Sequence, residues 1–313
     1  MVQSAVVAGV IVLLAALVID RLAGDPNSPW HPVALLGRFI GWWGKPHYYN
    51  PKIQRSAGVF LWFVTAVLFL IPFYCVASFA PWFLYVVLAP FLLKCCFAWR
   101  SLEEHTLAVV SALNAGVADG RAEVKKVVSR DTTNLDRTHI LSAAYESMTE
   151  NLTDSIISPL LYFCLFGLSG AAVYRAANTM DAMLGYKDER KRLGWFSARM
   201  DDIFNFVPAR LTVLLLLAYF AVRGTFSNAV RVMIRDGHKR PGFNGGIVMA
   251  VMAGGTGIQF VKKGVYTIGD TERSLDEAGY EILQAGRAVT IAFAVLASGT
   301  LILLGSLINS TGI

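Results

Sequence analysis

Ser56–Leu93 reads SAGVFLWFVTAVLFLIPFYCVASFAPWFLYVVLAPFLL, with no charged side chain anywhere in it. About 20 apolar residues cross a bilayer core at roughly 1.5 Å each, so this run is too long for one crossing. Pro81 interrupts it, and the stretch 56–98 is predicted to be a helical hairpin. Four further runs are uncharged: Met1–Ile19, Ser155–Tyr174, Pro241–Val261 and Ala288–Ile313. Residues 1–19 and 288–309 are expected to be the first and last spans. The chain of 313 residues is 55% hydrophobic and only 16% charged, where a soluble domain carries about 25%. With no water in the hydrocarbon to satisfy an open backbone, helices are the economical way across. The expected fold is therefore all-α: a polytopic integral membrane helical bundle with amphipathic and re-entrant segments, forming a single membrane-embedded domain over 1–313.

Met1–Ile19 lacks the basic start of a signal peptide and is read as a retained anchor. The four cysteines, Cys75, Cys95, Cys96 and Cys164, lie in apolar stretches without metal-ligand or disulfide spacing. The net charge of +6 requires no nucleic-acid partner, because Lys and Arg gather in the cytoplasmic loops of membrane proteins. Loops 20–55, 95–154 and 223–287 hold most of them. The basic loop 175–210 joins that side only if 155–174 and 211–222 enter the membrane without crossing it, which is the reading preferred here; the alternative places the loop outside. The loop 20–55 is rich in turn signals. Two short amphipathic helices are expected over 99–128, with Gly116 and Gly120 near the middle. The six glycines of 241–261 make it a weak helix former.

Polar chemistry is densest in a core of motifs at 129–210. Glu146, Glu150 and Asp154 recur at steps of four, one stripe of a helix. Like charges at that spacing repel, and no Lys or Arg lies between Arg137 and Arg175. The stripe is either a Mg²⁺-binding face or a solvated acidic helix start. Arg175, Asn178 and Asp181 share one helical face, and Arg199, Asp202 and Asn205 another, with Asp201 alongside and Arg210 beyond Pro208. Such groups near membrane depth usually line a cavity, although two matching faces can also simply neutralise each other. His31, before Pro32, and Asn244, in a glycine-rich turn, each have a structural reading beside a ligand-binding one. No Walker A or dinucleotide fingerprint occurs.

The order of motifs is specific. It runs from Ser129-Arg130-Asp131-Thr132 through Glu146-Ser147-x-x-Glu150-Asn151-x-x-Asp154 and Pro159-Leu160. It continues as Tyr174-Arg175-Ala176-x-Asn178-Thr179-x-Asp181, Ser197-Ala198-Arg199-x-Asp201-Asp202-x-x-Asn205 and Pro208-Ala209-Arg210-Leu211-Thr212. Upstream stand Asp20-Arg21, Gly24-Asp25-Pro26, His31-Pro32-Val33 and Gly37-Arg38. This resembles the membrane-bound adenosylcobinamide-phosphate synthases of cobalamin biosynthesis. One stretch departs: where the family has Ser-Pro-Asn-x-Gly after an Arg-Asp pair, this chain has Gly242-Phe243-Asn244-Gly245-Gly246.

The resemblance implies an acid–amine ligase. It would join a propionate carboxylate of adenosylcobyric acid to aminopropanol phosphate or an ethanolamine-type amine, with ATP and Mg²⁺ as cosubstrate and cobalt present only within the corrinoid. For that reaction the residue chemistry suggests Glu146, Glu150 and Asp154 for the metal, and Asp201, Asp202 and Glu146 for catalysis. Arg130, Asn151, Arg175, Asn178, Asp181, Arg199, Asn205, Arg210, His31 and Asn244 go to substrate. The expected location is the cell membrane, multi-pass, with the active site facing the cytoplasm and either self-association or association with other cobalamin-assembly membrane proteins. A transporter of a polar organic molecule and a non-catalytic sensing relative are the competing readings.

Overall fold

The computed structural model describes residues 2–26 and 28–311; Met1, the first residue of the expected first span, and 312–313, past the last, lie outside the described residues. The helices in chain order are α1 (Val2–Ala23), α2 (Pro32–Trp43), α3 (Gln54–Phe79), α4 (Trp82–Lys94), α5 (Trp99–Ala115), α6 (Val117–Val124), α7 (Arg137–Leu152) and α8 (Ser158–Leu184). There follow α9 (Trp195–Phe204), α10 (Phe206–Val222), α11 (Phe226–Asp236), α12 (Gly245–Thr256) and α13 (Leu275–Thr311). A short antiparallel hairpin, β1 (Gln259–Lys262) with β2 (Tyr266–Gly269), pairs Phe260 with Ile268. Among the described residues five helices are long and apolar enough to cross a membrane, or six if the bent pair α9–α10 counts as one span. The fold is all-α and polytopic, as its composition requires.

The chain divides into two compact units. The first comprises Met1–Ala98, Ser158–Asn205 and Ala294–Ile313. Here α3 and α4 break at Ala80 and Pro81 as expected, and α4 packs on α1 while α3 packs on α8 and α9. Membrane-facing apolar side chains stay exposed, among them Phe60, Phe63, Phe83 and Phe91. The loop 20–55 is more ordered than its turn signals suggest: Pro32 starts α2, whose buried stripe is Leu36, Ile40 and Trp43.

Within α8 the backbone leaves helical geometry at Gly167, with φ 63° and ψ −157°, a conformation open essentially to glycine. The chain folds back there. Tyr162 and Tyr174, on opposite sides of the break, stack with ring centroids 5.3 Å apart; twelve residues of straight helix would separate them by about 18 Å. Gly170 lets the arms close, since a Cβ there would stand 2.4 Å from the Tyr162 carbonyl oxygen. Leu165 and Phe166 are exposed at the tip. By length and composition alone Arg137–Leu184 would pass for a crossing, but a segment reversed at Gly167 has the form of one that enters and leaves by the same side. Consistent with this, Arg192 donates to the Pro51 carbonyl at 3.0 Å, so the loop after α8 and the loop before α3 share one end of the unit.

The second unit comprises Trp99–Ile157 and Phe206–Phe293. The break at Gly116 between α5 and α6 follows expectation. The stretch 241–261 does not behave as a weak helix former: Gly245–Thr256 is helical, and Val248–Ala253 are fully buried against α10 and α11. Its glycines permit the approach. A Cβ at Gly255 would meet the Phe220 ring at 2.3 Å, and one at Gly254 the Asn228 carbonyl at 2.5 Å. Tertiary burial here outweighs propensity.

Candidate functional site

Two polar clusters hold the residues singled out from sequence, one in each unit. In the second unit α7 presents Glu146 and Glu150 one turn apart. Glu146 is 2% exposed. It pairs with Arg130, accepts the Tyr266 hydroxyl at 2.7 Å and accepts the Ser142 hydroxyl at 2.5 Å. The Ser142 oxygen in turn accepts the Val261 amide at 2.7 Å, which ties β1 to α7. Burial first, and then the Glu146 charge, push the Tyr266 phenol above its ordinary value, so it keeps its proton and donates it. Glu150 pairs with Arg240, and Asp154 lies within that guanidinium's field. Gly245 makes room, since a Cβ there would stand 2.7 Å from Arg240 Nη1.

The repulsion along the stripe is therefore relieved, but not by a metal. The relieving cations, Arg130 and Arg240, come from outside the 137–175 interval that looked bare in sequence. Among the described residues no three His, Cys, Asp or Glu side chains group as a metal-ligand set, and the guanidinium groups occupy oxygens that an ion would need. Glu146, Glu150 and Asp154 do not fit a resident Mg²⁺. Asn151 is also committed elsewhere, donating to the Ser147 carbonyl at 3.0 Å and accepting the Ser155 hydroxyl at 3.0 Å within its own turn.

Arg210 and Asn244 do meet, as guanidinium to carboxamide oxygen at 2.6 Å, with Arg210 also donating to the Phe243 carbonyl at 3.2 Å and lying 3.7 Å from the Phe206 ring centroid. Asn244 immediately precedes α12, and the turn in which Gly242 and Phe243 replace Ser-Pro is held by this arginine. A buried Thr153–Thr212 bond of 3.1 Å fixes the turn after α7 against α10.

In the first unit the two predicted faces meet through amides. Asp201 accepts Asn178 at 3.2 Å and Asn205 at 3.0 Å. The Asn205 oxygen accepts the Ser158 hydroxyl at 2.7 Å and the Tyr174 hydroxyl at 2.8 Å. One carboxamide thus clamps both arms of the α8 hairpin to the end of α9. Asp181 and Asp202 are near enough to act on the Asp201 charge. Arg199 and Asp202 stand 3.9 Å apart, both partly exposed.

Beside this lies an ion cluster that sequence reasoning missed as a cluster: Lys94 pairs with Asp25 and stands 3.7 Å from Asp20. His31 opens α2, its Nδ1 accepting the Val33 amide at 3.3 Å, with Nε2 3.9 Å from Asp25. Burial lowers its pKa; Asp25 opposes, while Lys94 and Arg175 add to the lowering. The ring is neutral at pH 7 with its proton on Nε2. That nitrogen and Arg175 Nε are buried donors without a partner. Asp20 and Asp25 were visible in the motif order. Lys94, Arg240 and Tyr266 had no local signal, because each acquires its role through a contact more than 60 positions away; Ser142, four residues before Glu146 on the same helix, did have one.

Comparison with known proteins agrees with the motif order. The family model described as CobD/Cbib protein matches residues 13–292. A protein of Methanothermobacter thermautotrophicus described as a probable cobalamin biosynthesis protein CobD is 36% identical over 94% of this chain and 98% of its own length. The cobalamin biosynthesis protein CobD of Dehalococcoides mccartyi is 35% identical over 85% and 88%. That of Pelobacter propionicus is 36% identical over 94% and 95%. No solved structure matches. A match over nearly the whole length, covering both clusters and the spans between, establishes that the chain belongs to the CobD/Cbib protein family.

Proposed function

We propose that this chain is an enzyme of cobalamin biosynthesis that forms an amide bond between a propionate carboxylate of adenosylcobyric acid and the amine of aminopropanol phosphate or an ethanolamine-type relative. The observation that carries the reading is a buried charged cluster in a multi-pass protein, with Glu146 2% exposed between Arg130, Ser142 and Tyr266. Buried ionised groups are costly unless paired and gather at functional sites. Family membership narrows the chemistry.

A carboxylate is a poor acyl donor, so the propionate oxygen first takes the γ-phosphoryl of ATP, releasing ADP and giving an acyl phosphate. The neutral amine then attacks the carbonyl carbon, the carbon–oxygen bond to phosphate breaks, and the amine's proton passes to a base. Propionate, ATP and amine become amide, ADP and phosphate. Preorganised cations are the natural stabilisers of the transferring group. Arg130, Arg240 and Arg210 are assigned to it: a guanidinium has five donors, and their pairings leave some free. Mg²⁺ enters on the ATP phosphates and not on a carboxylate cage. The reaction draws on cytoplasmic ATP, so the catalytic groups face that side.

The test is to incubate the purified protein with adenosylcobyric acid, ATP-Mg²⁺ and candidate amines, and to read the corrinoid by mass. The expected product has gained one amine less water, with one ADP formed per product. Intact corrinoid with every amine, and uncleaved ATP, would reject the proposal.

A further inference from the structure

The second unit contains a cavity of about 170 Å³ that none of the candidate site residues lines. It lies where α10 ends and α11 begins, against the Gly254-Gly255-Thr256-Gly257 end of α12, with Glu272, Arg273 and Glu281 completing the wall. Asn244 and Arg210 are at the opposite end of α12, about 18 Å away along twelve helical residues, so the cavity is separate from the cluster on α7.

Its charged walls are largely spent. Glu281 pairs with Arg273 at 2.9 Å, and Glu272 with Arg231 at 3.3 Å. The carbonyls at the end of α12 are partly spent too: Ala253 accepts both Gly257 and Ile258, and Gly257 accepts Arg273. What remains unspent is a set of donors. Among the described residues the Arg223 guanidinium has no carboxylate or carbonyl partner, and neither has the Asn228 carboxamide. The Thr225 hydroxyl oxygen is buried with no partner. Thr225 is the residue that should cap α11, yet its side chain makes no capping bond. The first amides of that helix consequently point onward without an intrahelical acceptor.

A free guanidinium, an unsatisfied hydroxyl, a carboxamide and the positive end of a helix all ask for the same thing, several acceptor oxygens on one compact anion. We infer that this cavity is a second site of the protein, one that binds a phosphate-type oxyanion on Arg223, Thr225 and Asn228. Val222, 89% exposed, and the exposed Phe226 flank it at the end of the apolar α10. Both a soluble phosphate and the phosphate of a lipid head group can reach a mouth at that level.

The test is a binding measurement on the full chain in detergent, needing no turnover. Titration calorimetry with inorganic phosphate and with short-chain phosphatidic acid separates the two sources: tighter binding of the lipid assigns the site to a head group, and equal or weaker binding assigns it to free phosphate. Arg223→Gln and Thr225→Val should each weaken the better probe, the first by about tenfold or more, as loss of a charged donor does. Thr225→Ser, which keeps the hydroxyl, should bind like the parent. Since Thr225 makes no capping bond, Thr225→Val should leave the melting temperature in place, so a loss of binding cannot be put down to misfolding. Absence of saturable binding by either probe overturns the inference. So does parental affinity in Arg223→Gln or Thr225→Val, or an equal loss in Arg192→Gln, which removes a cation of the other unit.

Discussion

Glu146 gathers a guanidinium, a phenol and a serine hydroxyl on one carboxylate, and that geometry dictates how its variants should behave. Removing one partner of a buried pair strands the other charge at a cost of about 3 kcal/mol or more, whereas replacing both with apolar groups can be nearly neutral. Glu146→Gln should therefore lower the melting temperature in detergent markedly, and the double variant Arg130→Met/Glu146→Leu should recover most of it while forming no product. A double variant that turned over normally would reduce this cluster to a structural role. Asp236 offers a second residue-level prediction. It is fully buried; burial acts to raise its pKa, but hydrogen bonds from Arg235 at 2.8 Å, Lys239 at 2.6 Å and the Gly269 amide at 2.8 Å outweigh that and hold the carboxyl well below its usual range. An unfolded aspartate titrates near about 3.9. Below that pH the unfolded chain takes up the proton first, so the stabilisation is intact from about pH 5 upward and declines as pH falls below about 4. Asp236→Asn should be less stable at neutral pH, by about 2 kcal/mol, and should lose stability less steeply on acidification in a pH series of melting curves.

At the level of elements, the spans announced themselves. Ser56–Leu93 specifies α3 and α4 down to the break at Pro81, because uncharged length and a proline are local properties. Other elements did not. Pro32–Trp43 has turn signals at its start (Trp30-His31-Pro32) and in its middle (Gly37-Arg38) and reads as loop until Leu36, Ile40 and Trp43 find a partner surface. Gly245–Thr256 has the composition of a linker and becomes a buried helix because its glycines allow α10 and α11 to close on it. Glu146 and Glu150 of the acidic stripe do share α7, while Asp154 falls in the π-helical turn Thr153–Ile157 that follows it, and the counter-charges were beyond the reach of a window along the chain: Glu150 and Arg240 are 90 positions apart. Periodicity reports which residues share a face, and only tertiary structure reports what that face meets. The reversal at Gly167 has its own prediction. A side chain in that conformation is strained by about 1–3 kcal/mol, and Gly167→Ala should lower the melting temperature although a Cβ there would touch nothing within 4 Å. An unchanged melting temperature would mean that the bend is not as tight as described.

For the whole molecule the reversal decides sidedness within the first unit. Because Arg192 bonds Pro51 and the α8 arms return to the end from which they start, single cysteines placed at Lys52 and Asp188 should react with an impermeant thiol reagent from the same membrane face. Labelling from opposite faces would refute the hairpin. The expected face is the cytoplasmic one, since loop 20–55 and loop 185–194 are both basic.

The bend at Gly167 also bears on how the polypeptide is made. A straight α8 would oblige the insertion machinery to export Lys187, Arg190, Lys191 and Arg192 through hydrocarbon, against a potential that opposes moving cations outward. Folded back on itself, the same segment can be tucked in from the ribosome's side after its neighbours α3 and α4 are already embedded. If that side is the cytoplasmic one, as proposed, the basic stretch need never leave the compartment of synthesis, and the reversal that allows this rests on one residue that lacks a side chain.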